Sequence, residues 1–149
     1  MTTYWVRPAR PADLKAVKEL ARRVRREFHL AMRAQEQPGS AQAAELIWVV
    51  EAGRGQIVGC CGVREGEGES WQLHALYLAP EWRGFGLGRS LVEQAIRTLQ
   101  NSGALRLECA VPGEMPEALS LLRRLGFVDE TADGKTALRR LVKALGTVS

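Results

Sequence analysis

The spacing of apolar residues changes along the chain between the two periods that distinguish strands from helices. Three segments, 46–52, 56–63 and 71–78, are short apolar runs that contain β-branched or aromatic residues. Short runs of this composition predict strands, and the glycine-rich turns between the segments predict a three-stranded meander. In two further segments, 14–28 and 87–99, apolar residues recur every three or four positions, which is typical of amphipathic helices.

The rest of the chain predicts shorter elements. Asp133-Gly134 is typical of a tight hairpin turn. Because the segment after helix 87–99 is again strand-like, it should pair in parallel with 71–78. Between Phe28 and Ala44 the pattern suggests only helical pieces, interrupted at Pro38-Gly39. The shorter predicted elements are strands at 3–7 and 105–110, a helix near 116–125, a strand beginning at Phe127 and a strand at 136–142.

The composition suits one globular domain over residues 1–149, with 46% hydrophobic and 26% charged residues. The first residues have no apolar core of a signal peptide, and no apolar run approaches the roughly 18 residues of a membrane helix. Cys60, Cys61 and Cys109 show no metal-ligand spacing, which indicates reduced thiols in a cytoplasmic protein without a bound metal. The net charge of +4 suits a protein that binds one multiply charged cofactor.

The stretch from Leu76 to Ser90 carries the strongest chemical signal. An apolar run ends at Pro80, a loop with three alternating glycines follows Arg83, and a helix then begins. Such a turn directs several backbone N–H groups the same way, and a helix N-terminus adds unpaired donors and partial positive charge. The stretch therefore predicts an anion site, with phosphate as the usual ligand.

The glycine spacing excludes two common phosphate loops. A P-loop requires Lys-Ser/Thr after its last glycine, but Gly88 is followed by Arg89-Ser90. A dinucleotide-binding fingerprint requires a glycine at the sixth position, and counting from Gly84 that position is Arg89. A glycine-rich connection without any ligand remains the alternative.

Arg83-x-x-Gly86-x-Gly88, placed directly after a strand that ends in Pro, resembles the pyrophosphate-binding loop of the GNAT superfamily of acetyl-CoA-dependent N-acetyltransferases. The strand 106–109 and the late helix 118–127, which ends in Leu-Gly-Phe, are similar to the same family. The resemblance implies an α/β (α+β) GNAT fold. In that fold a mixed central sheet of about six to seven strands is flanked by about four helices and splayed at the fourth and fifth strands.

The resemblance also implies acetyl-CoA as cosubstrate. The pantetheine arm would lie along the backbone of the fourth strand, and the pyrophosphate would bind the N–H groups of the loop. Arg83 and Arg89 are expected to contact phosphate through their side chains. The residues assigned to cofactor binding are Leu76, Tyr77, Leu78, Arg83, Gly84, Phe85, Gly86, Leu87, Gly88, Arg89 and Ser90.

The positions that carry acid and base groups in many relatives are substituted here. Gln72 stands where a Glu base is common, and Leu122 stands where a Tyr acid is common. His74, on the same strand face as Gln72, and Glu108, on the facing strand, are the candidate bases. Each has a structural alternative, a buried strand histidine and an ion-paired glutamate. Cys109 is a possible acetylated nucleophile, although a buried core cysteine is favoured.

The resemblance therefore predicts direct acetyl transfer to a primary amine, with a catalytically inactive acyl-CoA-binding sensor as the alternative. A small amine-bearing molecule is the expected acceptor. The arginines within residues 22–26 could bind nucleic acid. Because no aromatic residues for base stacking accompany them, a solvent-exposed helix face is the favoured interpretation. Exposed strand edges would permit a homodimer.

Overall fold

One mixed seven-stranded sheet forms the centre of the protein, in the strand order β1-β2-β3-β4-β5-β7-β6. The computed structural model describes residues 3–30, 38–39, 44–131 and 138–146. All neighbouring strands are antiparallel except β4 and β5, which are parallel. The strands are β1 (Tyr4–Pro8), β2 (Glu45–Ala52), β3 (Gln56–Glu65), β4 (Ser70–Leu78), β5 (Arg106–Pro112), β6 (Val128–Asp129) and β7 (Leu138–Ala144).

Three α-helices accompany the sheet within the described ranges, against about four expected. They are α1 (Leu14–Glu27), α2 (Leu87–Asn101) and α3 (Pro116–Arg124). Residues 31–37 and 40–43, where helical pieces were expected, lie outside the described residues, as does the expected turn at Asp133-Gly134. No helix in the described part of the chain has both the length and the apolar character to span a membrane.

Helices cover both faces of the sheet. Cys60 and Cys61 are adjacent on β3 and both fully buried, and adjacent strand residues point to opposite faces. On β4 the Tyr77 hydroxyl accepts a hydrogen bond from Arg25 of α1 at 3.3 Å. Leu78 instead points toward Gly88 of α2. The three cysteines are free, and Cys60 and Cys61 are core residues.

A small ionic cluster fixes the start of α1 against the sheet. Pro11–Asp13 forms one 3₁₀ turn, and the Arg10 N–H donates to the Asp13 carboxylate at 2.7 Å. Arg7 of β1 donates to Asp13 at 2.7 Å and to Glu51 of β2 at 3.0 Å. The Arg7 guanidinium is the main cause that lowers the pKa of Asp13 below its usual value. The cluster therefore joins α1, β1 and β2.

The parallel pairing of β4 and β5 stops before either strand ends. The pairs run from Ser70 with Arg106 to Leu73 with Cys109, yet β4 continues to Leu78 and β5 to Pro112. In the same region β4 carries a bulge, because Val63 and Gly62 of β3 pair with Leu73 and Ala75 and leave His74 without a partner. The expected splay of the fourth and fifth strands is confirmed.

Asp13→Asn should lower the free energy of unfolding by about 2 kcal/mol at pH 7, because it removes a charge-assisted hydrogen bond to Arg7. The pKa of Asp13 is lowered in the folded state, so its stabilising contribution is complete above the unfolded pKa of about 4 and is lost as the pH falls below it. Urea denaturation of the wild-type protein and the variant, at pH 7 and at pH 3, measures the loss of unfolding free energy at each pH. The exposed Glu19→Gln is the control, and an equal deficit for Asp13→Asn at both pH values would contradict the assignment.

Candidate active site

The loop between β4 and α2 uses its glycines for two different reasons. Gly84 and Gly86 have φ values of +86° and +77°, which L residues with a side chain rarely adopt. Gly88 is needed for space, because a Cβ there would lie 3.1 Å from Leu121 Cδ2 and 3.5 Å from Leu78 Cδ1. The loop therefore turns sharply into α2 and lets α3 approach the first turn of that helix.

The first turn of α2 presents the donors of an anion site. Gly86 is the N-cap residue, so the N–H groups of Leu87, Gly88 and Arg89 have no acceptor within the helix. The first intrahelical bond to Gly86 comes from the Ser90 N–H at 3.1 Å, and the Ser90 hydroxyl donates to the same carbonyl at 3.1 Å. The free N–H groups and the positive end of the helix dipole suit a phosphate.

Arg83 fixes this loop to both neighbouring elements. Its guanidinium donates to Glu27 at 2.6 and 2.8 Å and to the Leu78 carbonyl at 2.9 Å, and it lies 5.5 Å from the centre of the Phe28 ring. The Arg83 hydrogen bond lowers the pKa of Glu27. Arg89 pairs with Glu93 one turn along α2. Direct contact of these two arginine side chains with phosphate stays a prediction.

A cavity of about 730 Å³ lies beside the loop. Its walls are the loop itself, the end of α1, the splayed half of β4 and the exposed side of α3. Three of the residues assigned to cofactor binding are not in its wall: Phe85 is 61% exposed, Tyr77 lines a neighbouring chamber, and Ser90 faces Gly86. The other eight line the cavity: Leu76, Leu78, Arg83, Gly84, Gly86, Leu87, Gly88 and Arg89.

Sequence reasoning missed the opposite wall of this cavity. Ala118 and Leu121 of α3 and its N-cap residue Met115 line it, together with Glu27 and the C-cap residue Phe28 at the end of α1. None of the residues predicted from the sequence to bind the cofactor lies on α3. No periodicity distinguishes a helix face that covers the sheet from one that covers a ligand site, so only the packing of α3 beside the glycine loop reveals this role.

A small chamber of about 60 Å³ occupies the point where β4 and β5 separate. Leu73 and Cys109, the last paired residues, line it together with Leu122 of α3. Leu76, Met115 and Ala118 line both the chamber and the large cavity, so the two spaces adjoin. Arg25 and the Tyr77 hydroxyl bring polar groups to the chamber wall.

Cys109 lies in the chamber wall but is a poor nucleophile. Burial raises the pKa of its thiol to about 12, so the reactive thiolate is a minor species at neutral pH. Burial likewise raises the pKa of Cys60 to about 12. Within the described ranges, no group of three His, Cys, Asp or Glu side chains is arranged to hold a metal ion.

His74 lines the chamber, but its ring is enclosed. The side chain is 4% exposed, and its Nε2 lies 2.6 Å from Glu45 Oε2. Neither His74 nitrogen makes a hydrogen bond of good geometry with the described residues. Gly62 of β3 leaves room for the ring, because a Cβ there would be 3.0 Å from His74 Cε1. Glu45 in turn accepts from the Gly39 N–H at 2.9 Å.

Glu108 lies in a different space, a polar cleft of about 500 Å³ at the paired end of β4 and β5. Its carboxylate accepts from Arg140 of β7 at 2.6 Å and lies 3.8 Å from Arg106 Nε. Gln72 pairs with Glu108 across the two strands and lines the same cleft. The side-chain oxygen Oε1 of Gln72 accepts a long hydrogen bond, 3.4 Å, from Arg64 Nε. The two candidate bases therefore lie in separate spaces.

Comparison with known proteins agrees with this geometry. The profile of the Acetyltransferase (GNAT) family matches residues 14–127. The chain is 30% identical over 83 residues to mycothiol acetyltransferase of Beutenbergia cavernae, a match covering 55% of this chain and 28% of that protein. It is 32% identical over 90 residues to the uncharacterized N-acetyltransferase YjgM of Escherichia coli, covering 58% of this chain and 53% of that protein. The matches thus span about half of one relative and less than a third of the other.

A solved structure extends the likeness over nearly the whole chain. The crystal structure of PaiA N-acetyltransferase from Thermoplasma acidophilum, in complex with coenzyme A, superposes with a TM-score of 0.78 at 17% identity. The superposition covers 95% of this chain and 99% of that one, and at this identity it shows a shared fold. The family match covers most of the chain and includes the glycine loop, the splayed strands and α3. This chain belongs to the GNAT family of acetyltransferases.

Proposed function

We propose that this chain transfers the acetyl group of acetyl-CoA directly to the primary amine of a small molecule. One observation carries the proposal: the cavity beside the glycine loop follows the open half of β4 and adjoins the chamber where β4 and β5 separate. Acetyl-CoA supplies the acyl thioester. GNAT enzymes use this cosubstrate, and a structural neighbour was crystallised with coenzyme A.

The residues present fit such a ligand along the length of the cavity. The N–H groups at the start of α2 would bind its pyrophosphate. The backbone of Leu76 to Leu78 has no β5 partner on its open edge, so the polar groups there that Arg83 does not occupy can bond to the amides of the pantetheine arm. Leu121 and Ala118 form an apolar wall opposite. A backbone N–H of the same β4 edge would stabilise the oxyanion that develops at the thioester carbonyl.

Glu108 is a better candidate for the general base than His74. An amine must lose its proton before it attacks, since a free alkylamine has a pKa of about 10. Glu108 faces a cleft open to solvent, whereas both nitrogens of His74 are buried. Positive charge from Arg25 at the chamber favours the departing thiolate.

A catalytically inactive acyl-CoA-binding sensor is the second candidate. Gln72 and Leu122 stand at the positions that hold a base and an acid in many relatives, and the chamber between them is largely apolar. Turnover of any amine would separate the two candidates. Free thiols favour a reducing compartment, so we place the activity in the cytoplasm.

Gly86→Asp should weaken acetyl-CoA binding at least about tenfold, because it puts a carboxylate where the pyrophosphate would bind. Isothermal calorimetry with acetyl-CoA, CoA and ATP measures the affinities. Gly68→Asp is the matched control, because Gly68 also has a positive φ and open space around it but lies in the β3–β4 turn. Equal affinity of the two variants would disprove the loop assignment.

Cys109→Ala should retain acetyl transfer within about threefold, because the thiol is almost fully protonated at neutral pH. Intact-mass spectrometry of the wild-type protein, incubated with acetyl-CoA alone, should show no added acetyl group on Cys109. An acetylated Cys109 together with an inactive Cys109→Ala variant would instead establish a two-step transfer.

Glu108→Gln should lower kcat/KM about 100-fold, which is the scale of general base catalysis. His74→Asn should lower it less, because the ring is enclosed beside Glu45. Thiol release from acetyl-CoA, with any amine found to react, measures both rates, and calorimetry confirms that each variant still binds acetyl-CoA. If Glu108→Gln keeps the wild-type rate, Glu108 is only an ion-pair partner of Arg140.

A further inference from the structure

We propose that the polar cleft at the paired end of β4 and β5 binds the acceptor, and that this acceptor carries a carboxylate close to its reactive amine, as a free amino acid does. The inference rests on the proposed function, because an acceptor site has meaning only in a chain that transfers acetyl groups. Four features of the cleft support it: its position, its opposed charges, a buried hydroxyl and its acidic rim.

The cleft lies one residue along both strands from the chamber. Gln72 and Glu108 pair across β4 and β5 and line the cleft. The following pair, Leu73 and Cys109, lines the chamber. One strand residue corresponds to about 3.3 Å. The cleft and the chamber therefore lie at successive levels of the β4–β5 pair, while the glycine loop lies at the far end of β4.

The inner wall of the cleft holds positive and negative charge side by side. Arg140 donates to the Glu108 carboxylate at 2.6 Å, and Arg106 Nε lies 3.8 Å from the same oxygen. Glu108 is 20% exposed, and each arginine is about half exposed. A guanidinium has five N–H donors, so both arginines can bind a further carboxylate. A ligand with both charges would place its ammonium on Glu108 and its carboxylate on the arginines.

Ser70 supplies an independent indication of a ligand. It is 6% exposed and is a buried polar residue in the wall of the cleft. Its hydroxyl has no hydrogen-bond partner among the residues described in the structure. A buried hydroxyl without a partner is energetically unfavourable. A carboxylate bound at the neighbouring arginines could accept a hydrogen bond from this hydroxyl.

The outer rim of the cleft is acidic. Glu65 and Glu67, at the end of β3 and in the turn before β4, line the cleft and are exposed. With Glu108 they give three carboxylates against two guanidiniums. This balance attracts an ammonium group at the entrance and disfavours an acceptor with several carboxylates. A polyamine, in contrast, would place a second cation against Arg106 and Arg140.

The test compares each common L-amino acid with its own carboxamide as acceptor. The carboxamide keeps the amine and nearly the same size but removes the negative charge. Thiol release from acetyl-CoA gives kcat/KM for each member of a pair. We expect at least one amino acid to be preferred over its carboxamide by about tenfold or more, which is the scale of a charge-assisted contact.

Three variants locate the preference. Arg140→Gln and Arg106→Gln should each reduce the preference for the amino acid over its carboxamide to about threefold or less, chiefly by raising KM for the amino acid. Ser70→Ala should also raise that KM while leaving the melting temperature unchanged or higher, because the unpaired hydroxyl is gone. Arg97→Gln, exposed on α2, is the matched control and should keep the wild-type preference.

The possible outcomes test the acceptor site separately from the proposed acetyl transfer. Equal rates with amino acids and carboxamides, preference for amines without a carboxylate, or no turnover of the panel by a protein that binds acetyl-CoA would each overturn the inference and leave donor binding intact. A preference that survives both arginine variants would also overturn it. A folded protein that binds no acetyl-CoA would overturn the proposed function itself.

Discussion

The early end of backbone pairing between β4 and β5 is the constraint on which the site depends. Up to Leu73 and Cys109 the two strands share hydrogen bonds as parallel neighbours. Beyond that pair, β4 stays bonded to β3 through Leu78 on its other side, with one bulge at His74, while the polar groups on its open edge lack a strand partner. Unpaired backbone groups are costly when buried. A ligand bound along this edge, as proposed, would pair with these groups and extend the sheet.

Arg83 shows how one side chain turns a flexible sequence into a fixed loop. The glycines before α2 permit a sharp turn, but freedom at Gly84 and Gly86 alone would leave the N–H groups without a fixed direction. The Arg83 guanidinium bonds to Glu27 at the end of α1 and to the Leu78 carbonyl at the end of β4. The loop is thereby held against two elements, and its donors are oriented before any ligand arrives, which lowers the entropic cost of binding.

Polar groups are divided among the three spaces along β4 in a way that suits group transfer. The large cavity combines a helix N-terminus with apolar walls, and the cleft combines carboxylates with guanidiniums. The chamber between them is small and mostly apolar. In the proposed reaction, the cosubstrate and the amine would bind on opposite sides of this chamber.

The sequence alone was enough to predict the helices and strands, their order, the glycine-rich loop and the family. Each depends on the pattern within one segment, as in the apolar run of 71–78 or the glycines after Arg83. Tertiary packing alone places α3 in the wall of the cavity and encloses His74 beside Glu45. It also brings Glu108 to Arg140, which is 32 residues away in the sequence. The reason is physical: local patterns report which face of an element is apolar, whereas contacts between distant elements depend on how those faces pack. His74 and Glu108 were equal candidates in the sequence, and packing alone placed one in the chamber and the other in the cleft.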